Sequence, residues 1–352
     1  MVTWLLKYCV IGLQLFFVIG FTSALGTNYC STKMKSFKVL VTNPTVPEIG
    51  IKLLTDQGCE VIQVTQENRE EIIKHAKGVD ALFWASCLSL DKEVLDVAGP
   101  QMKAIGIMSA GYDHIDVEEA KKRGIKLGNT PHPLHDAVAD LAVLLLLAAA
   151  RRAHEARLLI ENNKWITGNW KWMLGQDVTN STVGVIGLGN IGLSIVKRLQ
   201  GFNVKQFLYT GHKEKKEARE IGAKFVSLNT LLEESDFVII VVPLTAETKG
   251  MCDDDFFSKM KKTAVFVNVS RGPVVDQPAL IRALKNGQIF AAGLDVMTPE
   301  PLPADHELTT LPNVVLLPHL GSATNNTRAS MSSLTAENIL KALGDEEMIT
   351  PI

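Results

Sequence analysis

The sequence predicts an α/β protein built from two doubly wound parallel sheets. Three observations carry that prediction. From residue 37 onward short apolar runs alternate with amphipathic stretches, the alternation comes in two successive series, and a glycine-rich turn follows the first apolar run of the second series. Strands of a parallel sheet covered on both faces read as continuous apolar runs, and these do.

The first series places strands at 38–41, 60–64, 81–84, 103–108 and 125–127, with helices at 48–57, 67–77 and 117–123 between them. Residues 134–162, carrying DAVADLAVLLLLAAARR, then read as one long helix. Its apolar stretch, 141–150, is too short to span a bilayer, so it reads as a helix buried between domains or subunits. The loop that follows contains Trp165, Trp170 and Trp172, which suit a subunit contact, the rim of a partner's cleft, or ordinary core packing. The second series has strands at 181–186, 204–209, 237–242, 264–268, 291–295 and 314–317, and a last helix covers 325–343.

The chain of 352 residues is long enough for two substantial cores, and its net charge of -2 gives no basic excess of the kind that marks a nucleic-acid partner. Five cysteines, Cys9, Cys30, Cys59, Cys87 and Cys252, are scattered without ligand spacing and read as reduced thiols. His132, His135 and Asp136 lie close together, but Pro133 between them favours a loop entering a helix over a metal site. No metal is expected.

Residues 8–26 are uncharged, follow Lys7 and end near Thr22-Ser23-Ala24, which are the parts of a signal peptide or short anchor. Met34, followed at once by KSFKVLVT, reads instead as the start of a soluble domain, which leaves residues 1–33 as a leader, an anchor or an alternative start. The sequon Asn268-Val269-Ser270 poses the same question, since a glycan there requires an exposed asparagine. Its place at a strand end beside Arg271 argues for a cytosolic protein, with a secretory or anchored form as the alternative and membrane contact only if residues 8–26 are retained.

Residues 183–192, VGVIGLGNIG, set Gly187, Gly189 and Gly192 in a GxGxxG turn between a strand and a helix. Such glycines permit a tight turn and close backbone approach, and the helix N-terminus then faces a pyrophosphate, so the whole turn, with Leu188, Asn190 and Ile191, is read as a dinucleotide site. A ribose 2'-hydroxyl is bound by an acidic residue at the end of the next strand. Here that strand runs into Thr210, Gly211, His212 and Lys213, a small, polar and basic set that suits a 2'-phosphate and points to NADPH, with NADH possible.

Arg271, Glu300 and His319 each follow a strand of the second series, and strand ends on one edge converge on one cleft. A carbonyl accepting hydride develops negative charge on oxygen and needs a proton donor, for which an imidazole is suited. A neighbouring carboxylate, Glu300, would orient the ring and favour its charged form. Arg271 supplies a planar fork for a carboxylate and its adjacent carbonyl, the two groups of a 2-keto acid.

The stretches TVGVIGLGNIG, FLYTG, FVNVSRGPVVDQPAL, AAGLDVMTPEPLP and LLPHLGSAT, with MSAGYDHIDVEEAKKRGIKLGNTP in the first series, resemble the D-isomer-specific 2-hydroxyacid dehydrogenases from Phe37 to the C-terminus. The resemblance implies Arg271, Glu300 and His319 as the catalytic arginine, glutamate and proton-donating histidine. It places Asp295 beside the nicotinamide and Ser109-Ala110-Gly111 on a loop whose backbone amides bind the substrate carboxylate. Pro243, Val269 and Gly321 complete the cofactor-binding set.

It further implies a flavodoxin-like substrate domain, 34–135 with 323–352, into which a Rossmann coenzyme domain, 136–322, is inserted. A homodimer joined largely through the coenzyme domain, and reduction of small 2-keto acids such as glyoxylate and hydroxypyruvate, are also implied. Two departures stand out. Close reductases of this family carry Arg where this chain has His212, and residues 83–88, FWASCL, replace a mostly aliphatic run on a loop that touches substrate. An NAD-linked dehydrogenase of the phosphoglycerate type is disfavoured by the missing carboxylate after Tyr209 and by a chain ending soon after its last helix. A dinucleotide-sensing interaction protein of the same fold, like the corepressors that keep this triad, is separated from an enzyme only by turnover.

Overall fold

The computed structural model describes residues 36–352, so the leader reading of residues 8–26, with Cys9 and Cys30, lies outside the described residues. The first sheet consists of β1 (Lys38–Val41), β2 (Glu60–Gln63), β3 (Ala81–Trp84), β4 (Ala104–Ile107) and β5 (Lys126–Gly128). They pair in parallel in the order β2-β1-β3-β4-β5, the flavodoxin-like winding. The second sheet consists of β6 (Thr182–Ile186), β7 (Gln206–Thr210), β8 (Ala223–Phe225), β9 (Phe237–Ile240), β10 (Val265–Asn268), β11 (Ala291–Leu294) and β12 (Val314–Leu316). Its order, β12-β11-β10-β9-β6-β7-β8, reverses between β6 and β9, and that switch point opens the crevice where doubly wound sheets bind ligands. The molecule is therefore a pair of parallel-sheet α/β domains.

Central strands follow the expected burial rule: β3, β4, β9 and β10 are buried at every residue. Helix starts are set by short polar side chains. Asn68, Asp91, Asp116, Ser227, Asp253, Asp276 and Thr324 each accept a backbone N–H from the first turn of the helix they precede. The last helix, Asn325–Leu343, lies across the first sheet, close enough that a Cβ on Gly106 of β4 would come within 2.8 Å of Ile339. Asn338 and Thr350 both donate to the Asn129 carbonyl after β5, which ties the end of the chain to the same sheet.

The single helix expected over 134–162 is two: His135–Ala150 and Ala153–Glu161. Arg152 takes a left-handed backbone, φ 54°, and Gln176 N–H takes the Ala150 carbonyl that a continuing helix would have used. The returning loop thus ends the first helix, and the Arg152 guanidinium fixes the turn by bonding Glu155 and the Leu174 carbonyl. The apolar stretch itself is unbroken, and it packs on the second sheet and on the helix Asn190–Leu199. Core packing is excluded for two of the loop tryptophans, because Trp165 is 67% and Trp170 96% exposed.

Several short elements escaped the sequence pattern, among them the helix Lys92–Ala98, the helices Leu228–Glu234 and Gln277–Lys285 of the second series, and the edge strand β8, which buries only Ala223. No helix of the described residues is long and apolar enough to cross a membrane. Cys59, Cys87 and Cys252 are free thiols. His132 and His135 meet edge to face with ring centroids 5.7 Å apart, and no group of three metal-binding side chains occurs among the described residues.

Candidate active site

The glycine turn after β6 has three glycines with three distinct reasons. Gly187 has φ +95°, and a Cβ there would lie 2.7 Å from the Val241 carbonyl, so both conformation and space require it. A Cβ on Gly192 would sit 2.5 Å from the Gly187 carbonyl, where helix and strand pack closest. Gly189, the N-cap of Asn190–Leu199, has nothing within 4 Å of its Cβ position and leaves the approach to the helix N-terminus open. Leu188 is buried and Ile191 packs on the core, while Asn190 is exposed at the mouth. These residues fit a dinucleotide pyrophosphate.

Beside this turn, the Thr210 carbonyl at the end of β7 accepts Gly187 N–H at 3.0 Å, which brings the two strand ends together. Gly211, His212 and Lys213 are exposed there. Glu214 is directed away, to Arg219 at 3.2 Å, and Lys213 has no carboxylate partner among the described residues. The residues Thr210 to Lys213 at the strand end therefore include no carboxylate. Pro243, past β9, is exposed and anchors its turn by accepting the Thr248 hydroxyl at 2.6 Å.

At β10, Asn268 is 1% exposed and held at both ends of its amide: Nδ2 donates to the Arg271 carbonyl at 3.0 Å, and Oδ1 accepts from Ser270 N–H and Oγ. The sequon asparagine is a clamp that shapes the loop carrying Arg271, a role the sequence reading missed. Val269 is buried beside it.

His319 and Glu300 form the centre of the cleft, with Nδ1 2.8 Å from Glu300 Oε2. Glu300 is itself fixed, because Oε1 accepts Met297 N–H at 3.0 Å. Burial pushes the Glu300 carboxyl up, but the hydrogen bonds from His319 and Met297 and the charges of His319 and Arg271 outweigh it and hold the group below the usual carboxylate range. His319 sits in a left-handed backbone conformation, φ 54°. Asp295, 2% exposed, maintains it: its carboxylate accepts Leu320 N–H at 2.7 Å and Gly321 N–H at 2.9 Å, and its carbonyl accepts His319 N–H at 2.8 Å. Burial raises the Asp295 carboxyl despite those two donors.

From the first sheet, the loop after β4 brings Ser109, Ala110 and Gly111 to the same cleft. Ser109 Oγ donates to the Gly111 carbonyl at 2.6 Å and Asn129 Nδ2 to the Ala110 carbonyl at 2.7 Å, while the N–H groups of Ala110 and Gly111 have no acceptor among the described residues. The Arg271 guanidinium reaches this loop, and Nε bonds Asp113 at 3.0 Å. Nη1 is also held, by the Ser270 carbonyl at 2.9 Å. Residues 83–88 divide: Phe83 and Trp84 belong to the core of β3, and the cleft edge starts only after them. On that edge Cys87 is exposed, yet partial desolvation of its sulfur pushes the thiol up, with Glu67 and Glu300 adding to the shift.

Residues 143–321 match the family model for the D-isomer specific 2-hydroxyacid dehydrogenase NAD-binding domain. The chain is 46% identical to the glyoxylate reductase/hydroxypyruvate reductase of Mus musculus over 88% of this chain and 96% of that protein. It is also 46% identical to the Homo sapiens protein of the same name, over 90% of this chain and 97% of that one. Among solved structures, an NADPH-dependent glyoxylate/hydroxypyruvate reductase from Sinorhizobium meliloti, in complex with NADP and malonate, is similar with a TM-score of 0.79 and 32% identity, covering 90% of this chain and 96% of that one. The chain belongs to the D-isomer specific 2-hydroxyacid dehydrogenase family. It is an NAD(P)-dependent oxidoreductase of that family.

Proposed function

We propose that this protein is an NADPH-preferring reductase of small 2-keto acids, converting glyoxylate to glycolate and hydroxypyruvate to D-glycerate. The observation that carries the reading is the His319–Glu300 pair at 2.8 Å, facing the same cleft as Arg271 and the open glycine turn. When bound, the reduced nicotinamide supplies hydride. The chain does the rest. Gly187 to Gly192 receive the pyrophosphate, His212 and Lys213 meet the 2'-phosphate, and Pro243, Val269, Asp295 and Gly321 border the remainder of the cofactor.

The free N–H groups of Ala110 and Gly111 and the Arg271 guanidinium take the substrate carboxylate. Glu300 holds His319 through Nδ1, which leaves Nε2 to donate a proton to the carbonyl oxygen as charge develops on it, and to accept one in the reverse direction. The domain division that goes with this role is 34–135 with 323–352 for substrate and 136–322 for cofactor. Names of the mammalian and bacterial relatives support the substrate and cofactor assignments.

A second copy of the chain completes the protein. Leu144, Leu158, Ile160, Trp165, Trp170 and Leu174 are all exposed within a single stretch, an apolar concentration that a lone monomer rarely leaves bare. We place the homodimer in the cytosol. Steady-state turnover of the purified full chain with glyoxylate and hydroxypyruvate, each with NADPH and with NADH, tests the reading; absence of turnover with every pair overturns it.

A further inference from the structure

Arg271 leaves β10 of the second sheet, yet Asp113, which holds its Nε at 3.0 Å, follows β4 of the first sheet and is 158 residues distant in sequence. Both side chains are about one-quarter exposed, 25% and 27%. Gly111 lies directly beneath the pair: a Cβ there would come within 1.9 Å of Arg271 Nη2 and 3.2 Å of Asp113 Oδ1. Its backbone is not in the left-handed region, so the guanidinium, not the turn, requires the glycine. With Nε on Asp113 and Nη1 on the Ser270 carbonyl, Nη2 is the arm with no partner among the described residues.

We propose that Asp113 is the positioning residue for Arg271, and that Gly111 and Asp113 form a seat on the first domain that turns Nη2 toward the substrate carboxylate. The proposal deepens the reductase reading and rests on it for the identity of the substrate. An exposed surface ion pair contributes little by itself. This one differs because it fixes the direction of a planar donor group whose angular error is transmitted to the reacting carbonyl. It also joins the two domains, so the arginine is aimed only when they are arranged as here.

A double-mutant cycle on the full chain tests it, reading kcat/KM for glyoxylate with NADPH. Asp113→Ala is expected to lower kcat/KM about tenfold in the native background and less than about twofold beside Arg271→Lys, because the second background has no fork to aim. Asp113→Asn, which keeps an acceptor oxygen, is expected to lose less. Independently of turnover, phenylglyoxal modification of Arg271, followed by peptide mass, is expected to accelerate at least about threefold in Asp113→Ala. Arg151, exposed and without a carboxylate partner among the described residues, serves as the internal reference. Equal losses in both backgrounds with unchanged Arg271 modification would overturn the proposal. If the native chain turns over no keto acid, the reductase reading fails, and the modification rate alone then decides the role of Asp113.

Discussion

The cleft holds two ion pairs built on different plans. His319–Glu300 is assembled within one domain, from loops after adjacent strands β11 and β12, and Asp295 and Met297 N–H fix both members locally. Arg271–Asp113 is assembled between domains, and neither residue has its geometry without the other's sheet. The difference separates two tasks. On the proposed mechanism, proton transfer is prepared wherever the second domain folds, whereas capture of the substrate carboxylate depends on how the two sheets face each other.

The largest expected effect breaks the local pair. His319→Asn removes the proposed proton donor, and turnover should fall by about 10²-fold or more while cofactor affinity, read by fluorescence titration, stays nearly unchanged. Unchanged turnover would remove His319 from the mechanism. Breaking the other pair should appear in a different constant. Arg271→Lys keeps the charge but loses the fork and its charge-assisted bonds, each worth about 1.5–3 kcal/mol, so KM for the keto acid should rise roughly 10- to 100-fold. A fall in kcat with KM unchanged would show that Arg271 does not hold the substrate.

Glu300→Gln sharpens the comparison further, since it leaves the ring in place with a weaker, neutral partner. Turnover should fall by roughly tenfold, less than for loss of His319 itself. The same variant has a pH signature. Because the native Glu300 carboxyl titrates below the usual range, its contribution to stability is present above the range of an unfolded glutamate and is lost as pH falls through the native value. The melting-temperature gap between native and Glu300→Gln protein should therefore persist at pH 6 and close as pH falls below about 4. A gap independent of pH down to 3 would contradict the depressed value.

What was legible in the sequence follows the same division. The local pair could be read, because Glu300 and His319 each follow an apolar run and their partners lie within a few residues or on the adjacent strand. Gly187, Gly189 and Gly192 were legible for the same reason, their roles being local to one strand-turn-helix unit. Asp113 was not read, although it stands two residues past Gly111 in a stretch the pattern had singled out, because nothing local tells a carboxylate which of many distant cations it meets. Asn268 was hidden behind a sequon. The helix break at Arg152 was missed because its cause, the return of Gln176 to the Ala150 carbonyl, lies in a loop with no periodicity. Every strand except the exposed edge strand β8 was placed within one or two residues, since burial writes the others directly into composition.

The smallest effect concerns the strand end beyond β7, outside both pairs. His212 stands exposed where the family resemblance implies Arg, and Glu247, fixed by the Thr245 hydroxyl at 2.7 Å, lies nearby. His212→Arg adds a permanent fork for a 2'-phosphate in place of a titratable ring. At an exposed position such a pair is worth at most about 1 kcal/mol, so KM for NADPH should fall by up to about fivefold and KM for NADH should not move. Both constants falling together would mean that position 212 meets a part of the cofactor shared by NADPH and NADH. In that case the absence of acid after β7, rather than the presence of His212, is what favours the phosphorylated form, and Lys213→Ala becomes the informative comparison.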